Sequence, residues 1–312
     1  MLTNTSIFYL NIANVVHSSP FITLEQYKNI NIIESRYIKH FSTVFYGNLL
    51  KSLLIKSSKF YNILESSIFI NRGVHYSKFI EQSVVEFRTD VKVIDCYFAG
   101  CNSDRGGGVH TALCDVLITK TEFSHNIARI AGGLYCLNCN KCEIVGVSFV
   151  GNMAEYNGAA FLGNQDRSIE LELVNFSSNT ATEWNSAIRF DRNGGTMKNS
   201  YFEKNKAHSC GCIFDFSWKP NNREVSFCNF INNTSLSRSA AVTLFHILHQ
   251  SSYQNCNFAL NICKNGPNSI LVMNIYSNVS ILNCTFDKSS AEEIKNEHRE
   301  SILVIKDCQY VV

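Results

Sequence analysis

TEFSHNIARIAGGLYCLNCNKCEIVGVSFVGNMAEYNGAAF, residues 121–161, contains one short phrase twice. FSHNIA (123–128) returns as FVGNMA (149–154), and each copy is followed by a turn that contains glycine, GG (132–133) and then NG (157–158). The two phenylalanines lie 26 residues apart (149 − 123). A fixed period of this length is typical of a stacked array of structural repeats.

The first phenylalanine of the phrase, which we call the register Phe, recurs down most of the chain. Successive register positions are separated by 25, 26, 27, 26, 28, 28, 28 and 24 residues. Three aromatic residues in similar contexts extend the series upstream at closer spacing, namely Tyr37, Phe60 and Phe79. The register positions themselves are Phe98, Phe123, Phe149, Phe176, Phe202, Phe230, Phe258, Phe286 and finally Tyr310.

Each repeat has the hydrophobic pattern of short strands, with alternation at period two, as in Val91 and Val93. Just before the register Phe, the inward-facing positions shift by one residue, which predicts a bend. Asp and Asn, which tolerate left-handed backbone angles, stand three residues before the register Phe in several repeats: Asp95, Asn199, Asn255, Asn283 and Asp307.

A second bend is predicted three residues after the register Phe, where asparagine recurs. A small residue, a looser turn and a third strand follow, as in AAF (159–161). Three short strands per coil, joined by bends, describe a parallel β-helix. The asparagines at the second bend are Asn126, Asn152, Asn179, Asn205, Asn233 and Asn261.

The predicted fold is therefore all-β, a single-stranded parallel β-helix of eleven or twelve coils and a length on the order of 50 Å. Equivalent residues should stack, phenylalanine on phenylalanine and asparagine on asparagine. We expect one continuous solenoid domain. Residues 1–90 would form an N-terminal cap and short coils, and residues 91–312 the regular coils. SAEE (290–293) has the spacing of a capping box and predicts a solvated helical loop that runs to Glu300.

Composition excludes some functions. The formal charge of +2 gives no electrostatic footprint for nucleic acid or an anionic membrane. No uncharged apolar run reaches the roughly 18 residues that a membrane helix needs. The N-terminal apolar run from Ile7 to Val16 has no basic residue before it, so no signal peptide is predicted.

The repeat phrase, present as FSHN, FVGN, FSSN, FEKN, FINN and FALN, resembles that of the chlamydial polymorphic outer-membrane proteins. The Gly-Gly-Ala-Ile element of that family is approximated here by GGGV (106–109), GGLY (132–135), NGAA (157–160) and NSAI (185–188). Similar repeats occur in surface-protein families of parasitic protists. The resemblance covers about residues 90–290. It implies a right-handed, pectin-lyase-like β-helix that is exported to the cell surface or secreted and used in adhesion.

Thirteen cysteines, an odd number, exclude complete internal pairing. Five stand two residues before a register position, facing inward, and the last four occupy successive coils. A ladder of reduced thiols in the core is the favoured interpretation, with disulfides between adjacent coils as the alternative in an oxidising compartment. The five are Cys96, Cys228, Cys256, Cys284 and Cys308.

A sharper motif is Cys136-x-x-Cys139-x-x-Cys142. Counted from the glycine turn of each coil, Cys114 occupies the same position in the previous coil as Cys139 does in this one. Four converging thiols would suit tetrahedral zinc. Plain packing or a disulfide is the favoured alternative, and no metal ligand is assigned.

An enzyme on this fold would need carboxylates grouped on one exposed face, either to hold calcium or as paired acids. Glu143, Glu170 and Glu224 share a position in the repeat, but Thr196 interrupts them. The Asp-Arg pairs at 104–105, 166–167 and 191–192 predict surface salt links in turns. The aspartates are single and scattered: Asp104, Asp115, Asp166, Asp191 and Asp215.

We therefore expect a non-enzymatic scaffold, at the cell surface or secreted, that acts in adhesion or ligand interaction. Its ligand would be a protein or a carbohydrate, and no catalytic residue or cofactor is predicted. The alternative is a carbohydrate-active enzyme, a polysaccharide lyase or glycoside hydrolase, which would need a groove lined by stacked carboxylates or aromatic rings. An adhesin needs only an extended polar face. A third alternative is a cytosolic structural repeat protein.

Overall fold

The structure is a computed structural model that describes residues 4–16, 19–24, 29–48, 50–71, 89–139, 141–163, 169–191, 194–217, 222–246, 250–273, 278–297 and 300–311. In this part of the chain the strands form four parallel sheets, and one short helix, α1 (Ser290–Glu293), accompanies them. Strands pair with their equivalents in the neighbouring coil, as Thr89–Ile94 does with Cys114–Thr119. The chain is therefore a parallel β-solenoid, as predicted.

Sheets A and B contain twelve strands each among the described residues. Sheet A comprises β1 (Asn4–Phe8), β4 (Asn29–Ile33), β7 (Ser52–Lys56), β10 (Thr89–Ile94), β14 (Cys114–Thr119), β18 (Cys142–Val145), β22 (Ile169–Glu172), β26 (Gly195–Lys198), β30 (Asn222–Ser226), β34 (Gln250–Gln254), β38 (Asn278–Leu282) and β41 (Ile302–Lys306). Sheet B comprises β2 (Asn11–Val15), β5 (Arg36–His40), β8 (Lys59–Tyr61), β11 (Tyr97–Ala99), β15 (Glu122–Ser124), β19 (Ser148–Val150), β23 (Asn175–Ser177), β27 (Tyr201–Glu203), β31 (Asn229–Ile231), β35 (Asn257–Ala259), β39 (Thr285–Phe286) and β42 (Gln309–Tyr310).

Sheets C and D contain eleven and seven strands in the same described ranges. Sheet C comprises β3 (Ile22–Leu24), β6 (Phe45–Asn48), β9 (Ile68–Asn71), β13 (Val109–Ala112), β17 (Leu134–Leu137), β21 (Ala160–Gly163), β25 (Ile188–Asp191), β29 (Ile213–Ser217), β33 (Val242–His246), β37 (Ile270–Val272) and β40 (Ile294–Asn296). Sheet D comprises β12 (Asn102–Arg105), β16 (Ile127–Ile130), β20 (Met153–Tyr156), β24 (Thr180–Ala181), β28 (Lys206–Ala207), β32 (Thr234–Ser237) and β36 (Ile262–Asn265).

Sheet D makes four strands per coil where three were predicted. Its strands begin four residues after the register Phe and are as short as Thr180–Ala181. The small residue of the repeat, such as Ala154, points inward from this sheet and is buried. Two to four residues are too few to establish a period of two, so this segment was interpreted as part of a turn.

The register residues form one stacked inner column, as predicted. Ring centroids of neighbours from Phe60 to Phe286 are 4.7–5.0 Å apart with interplanar angles of 4–10°. Tyr37 and Tyr310 extend the column at its two ends. The assignment of Phe79 to this column was wrong, because Phe60 stacks directly on Phe98. Phe79 itself lies outside the described residues.

The asparagines three residues after the register Phe form a second inner column, a continuous ladder of hydrogen bonds. The Asn179 Nδ2 group donates to Asn205 Oδ1 of the next coil (3.0 Å) and to the Phe149 carbonyl of the previous one (2.9 Å). Asn179 Oδ1 in turn accepts from the backbone N–H and from Nδ2 of Asn152. The six ladder asparagines are buried, so their amides satisfy polar groups that water cannot reach.

The bends differ in one respect from expectation. The Asp and Asn residues before the register Phe adopt left-handed angles, as predicted, with φ of 54° at Asp95 and 51° at Asn199. At the second bend the left-handed residue is one position earlier than predicted, for example His125 or Ser178. The asparagine that follows therefore recurs in successive repeats because of its hydrogen bonds, not because of its backbone angles.

Both ends of the solenoid depart from the regular coil. Residues 4–71 form three coils that contribute strands to sheets A, B and C, and sheet D begins only at β12. Whether residues 1–90 include a cap stays a prediction. At the other end, the helix predicted to reach Glu300 was wrong beyond Glu293. Ile294 is buried and opens β40, because it continues the inner column of sheet C above Ile270.

The ladder predicts the effect of removing one amide. Asn179→Ala removes the acceptor of the buried Asn152 backbone N–H and of one Asn152 Nδ2 hydrogen, together with one donor to the Phe149 carbonyl. A buried polar group left unsatisfied costs about 1–3 kcal/mol. We expect the free energy of unfolding to fall by roughly 3 kcal/mol, measured by urea denaturation. Asn265→Ala, at an exposed strand end, is the control and should change it by less than about 0.5 kcal/mol. Equal effects of the two substitutions would contradict the ladder's role.

Candidate functional site

Sheet C carries an aromatic column on its outer face, which we call the outer column. Its members lie opposite one another in the strand register, and five of the ten from Tyr46 to Lys295 are aromatic carbocycles. The column runs through Tyr46, Phe69, His110, Tyr135, Phe161, Arg189, Phe214, Thr243, Leu271 and Lys295.

The middle of the outer column is closed to solvent. Tyr135 and Phe161 are only 5% and 8% exposed and form a small hydrophobic cluster with Ala131. Ile130 and Leu137 pack against this cluster. The column is half-buried at Tyr46, Phe69 and His110 on one side of this covered stretch and at Arg189 on the other. Beyond Arg189, Phe214, Thr243 and Leu271 are buried.

Beside the first of these sides lies a cavity of about 400 Å³, where sheet D begins. The preceding coil has a short corner in place of a sheet D strand, and this corner bonds to β12 through the Ser66 hydroxyl, which donates to the Arg105 carbonyl at 2.7 Å. We call this cavity the step pocket. It is lined by Thr43, Glu65, Ser66, Phe69, Ser103, Asp104, Arg105 and His110.

Two rings form the floor of the step pocket. The Phe69 ring stacks on Tyr46 with centroids 5.4 Å apart and an interplanar angle of 7°. His110 meets Phe69 edge-on at 4.4 Å and Tyr135 at 4.8 Å. Burial, and secondarily the charge of Arg105, lowers the pKa of His110 to about 4. The imidazole is therefore neutral at neutral pH and serves as part of the ring surface.

Carboxylates stand on the wall of the step pocket. Glu65 Oε2 accepts hydrogen bonds from the backbone N–H and hydroxyl of Thr43, at 3.0 and 2.8 Å. Asp104 accepts from Arg129 Nε at 2.7 Å, and Arg105 Nε lies 3.4 Å from its second oxygen. The hydrogen bond from Arg129 lowers the pKa of Asp104. Both carboxylates are thus held in place as hydrogen-bond acceptors beside the rings.

On the other side of the covered stretch lies an arginine–aromatic cluster. The Arg189 guanidinium lies 5.4–5.7 Å from the ring centres of Phe161, Trp184, Phe214 and Phe216. Arg238 lies 5.1 Å from Trp184 and 5.7 Å from Phe214. Such cation–π contacts stabilise the two guanidinium groups beside the rings.

The carboxylates considered for catalysis are dispersed. Glu143, Glu170, Thr196 and Glu224 do share one outer column of sheet A, with Thr196 between glutamates as predicted. Lys141 forms an ion pair with Glu143. The 104–105 pair forms the predicted salt link, but on strand β12 instead of in a turn. Asp166, and the arginines at 167 and 192, lie outside the described residues.

Asp215 was counted among the scattered aspartates, but it points into the solenoid. Its carboxylate pairs with Arg223 Nε at 2.8 Å, and both side chains are fully buried. The Arg223 guanidinium lies 3.8 Å from the centre of the Phe190 ring. Asp215 lies two residues after Ile213 on a strand, and this alternation predicts that both side chains face inward. The partner could not be inferred, because it reaches Asp215 across the interior from sheet A.

The thiols two residues before the register Phe lie inside, as predicted, and they have a defined role. Cys228, Cys256 and Cys284 each donate to the carbonyl two residues earlier, at 3.3–3.4 Å. The hydroxyls of Ser58 and Ser200 make the same bond in other coils. The cysteines thus take the place of a hydroxyl at this corner. All thirteen cysteines are described, and each is a free thiol in the structure.

Cys114 and Cys139 occupy equivalent corners of successive coils, as predicted, and donate to the carbonyls of Ala112 and Leu137. Cys136 Sγ accepts from Thr111 at 3.2 Å, and burial raises its pKa well above the usual thiol value. All four thiols, including that of Cys142, are buried. Across the described ranges no group of three or more His, Cys, Asp or Glu side chains is arranged to hold a metal ion. This geometry favours packing over zinc.

Thiol accessibility can be measured directly. Cys308 is half-buried and the other twelve cysteines are buried, and a buried thiol reacts slowly because the reagent cannot reach it. We expect one thiol to react promptly with Ellman's reagent in the native protein and all thirteen in denaturant. Cys308→Ser should remove the prompt reaction. Prompt reaction at Cys136, Cys139 or Cys142 would contradict the packing described above.

The interior ion pair also has a measurable consequence. Arg223→Met leaves the Asp215 carboxylate buried without its cation, which should lower the free energy of unfolding by about 3–5 kcal/mol. The double variant Asp215→Leu with Arg223→Met removes both charges and should recover most of that loss, as urea denaturation would show. A double variant as unstable as the single one would contradict this account.

No protein-family model matches the chain, and no similar protein was found among curated proteins or among solved structures. No helix in the described ranges is long and apolar enough to cross a membrane. The parallel β-solenoid is therefore established by the structure itself, and the resemblance to the polymorphic outer-membrane proteins rests on the repeat phrase alone.

Proposed function

We propose that the chain is a non-enzymatic scaffold, displayed at a cell surface or secreted, that binds a ligand through the outer face of sheet C. The observation that carries this proposal is the outer column, whose Phe69 ring lines the step pocket beside fixed polar groups and whose Arg189 lies beside the half-buried rings of Trp184 and Phe216. The repeat phrase supports an adhesive role through its resemblance to the polymorphic outer-membrane proteins.

The solenoid suits this role because its binding surface is rigid before a ligand arrives. Each strand that bears an outer-column residue pairs on both sides within sheet C, except at the ends. Side chains whose positions are already determined lose little conformational entropy on binding. Stacked coils therefore present an extended surface without a loop that must first become ordered.

A carbohydrate-active enzyme is the second candidate, because an aromatic-lined face is a feature that such an enzyme would need. The state of Asp104 argues for the binding protein instead. A general acid in a glycosidase needs a raised pKa, whereas the hydrogen bond from Arg129 lowers the pKa of Asp104 and keeps it ionised. Asp104 is therefore not suited to act as the general acid.

The proposal predicts surface exposure and binding together. Intact source cells, or their medium, should contain the chain in a form that a membrane-impermeant biotin reagent labels. Purified protein should bind cell-surface preparations, and the double variant Phe69→Leu with Trp184→Leu should weaken that binding at least ~tenfold, because it removes a ring at the step pocket and one at the arginine–aromatic cluster. Tyr201→Leu, on the outer face of sheet B, is the matched control.

Two results would contradict the proposal. One is a chain that stays inaccessible to the impermeant reagent and binds no surface preparation. The other is turnover in a panel of polysaccharides assayed with and without calcium. If Asp104→Asn abolished that turnover, the enzyme would replace the scaffold as the function.

A further inference from the structure

We infer that the step pocket binds one neutral sugar unit of a glycan. This inference rests on the proposed function, since it names the ligand class for one part of the outer face of sheet C. It follows from the shape of the pocket, the orientation of its rings and the balance of its charges.

The rings provide a flat apolar surface of the size of a sugar ring. Phe69 is held by its parallel contact with Tyr46 and its edge contact with His110, so its orientation is determined before a ligand binds. The C–H face of a pyranose is apolar and flat, and it gains free energy by leaving water against an aromatic ring. The cavity of about 400 Å³ lies at the small end of the range of about 300–1,000 Å³ for ligand sites.

Hydrogen-bonding groups surround these rings. The second carboxylate oxygen of Glu65, Oε1, makes no hydrogen bond with the described residues, while Oε2 is held by Thr43. Sugar hydroxyls both donate and accept, so a bound sugar can donate a hydrogen bond to this carboxylate oxygen.

The charges favour a neutral ligand. An anionic sugar would face the carboxylates of Glu65 and Asp104, and a cationic group would face Arg105. Asp104 is already neutralised by Arg129, with Nε–Oδ1 at 2.7 Å. A neutral ligand avoids repulsion from either sign and still forms charge-assisted hydrogen bonds, which are stronger than neutral ones.

The closed middle of the outer column limits how much of a glycan can be bound. Tyr135 and Phe161, next along the column, are nearly inaccessible. A glycan in the step pocket therefore meets no continuous aromatic track toward the later coils. We expect one or two sugar units to supply the binding energy, so that a longer oligosaccharide gains little affinity.

The test is calorimetric titration of the full chain with neutral mono- and oligosaccharides, with uronate and sulfated oligosaccharides as a second arm and peptides as a third. Phe69→Leu keeps the apolar volume but removes the ring, and should weaken binding of the neutral sugar by about tenfold. Glu65→Gln keeps an acceptor for Thr43 but removes the charge, and should weaken it by about threefold. Tyr201→Leu and Asn265→Ala, which lie away from the step pocket, should have no effect.

Each outcome decides the inference. Binding of a neutral sugar that is lost in Phe69→Leu and unchanged in the two controls supports it. Binding of only anionic glycans or only peptides, binding that ignores Phe69, or no binding in any arm overturns it. The proposed function fails separately, by the surface labelling and cell-surface binding described above, so a scaffold with a protein ligand would remain if only the sugar arm were negative.

Discussion

Every coil of this solenoid must turn corners, and at two of them a backbone N–H group has no carbonyl partner in a neighbouring coil and bonds to a side chain. A buried N–H without an acceptor is costly, so the rest of the structure depends on how these groups are satisfied. The acceptor comes from a side chain of the next coil. Asn205 Oδ1 accepts from the N–H of Asn179 at one corner, and Ser200 Oγ accepts from the N–H of Val174 at another.

This arrangement explains why like residues lie above one another. A corner can be satisfied only if the next coil places the same kind of acceptor at the same height, so the register of the asparagines also determines that of the sheets beside them. The phenylalanine column then follows, with rings about 4.9 Å apart in the middle of the chain. Thiols are tolerated at the second corner because Cys256 and Cys284 bond as a hydroxyl would, with Cys284 Sγ accepting from the Cys256 N–H at 3.4 Å.

Features that recur in many coils could be inferred from the sequence, whereas features that occur only once could not. The register residues, the left-handed bend at Asp95 and the asparagine ladder each recur in many coils, so their pattern rises above chance. Phe79 matched the local context but belongs to the segment between two coils that stack directly. The two-residue strand Thr180–Ala181 is too short to show a period. The step pocket lies where neighbouring coils differ, because sheet D begins there. A repeat pattern in the sequence shows what the coils share and therefore does not predict such a pocket.

Two cavities lie where the regular repeat is interrupted. Sheet D begins at β12 and ends at β36, and a cavity lies at each limit: the step pocket at one and, at the other, a cavity of about 340 Å³ beside Gly266 and Lys288. In this solenoid a change in the number of strands per coil coincides with a cavity at each limit of sheet D.

The asparagine ladder also gives the molecule a direction. In each rung the side-chain carbonyl faces the preceding coil, because it accepts from the asparagine before it, as Asn233 Oδ1 does from Asn205 Nδ2. Bond dipoles that point the same way add instead of cancelling, and hydrogen bonds in a chain polarise one another. Six aligned amides therefore create an electrical axis along the centre of the rod, with its negative pole toward the first coil, so that the two extremities differ in potential even where their side chains are alike.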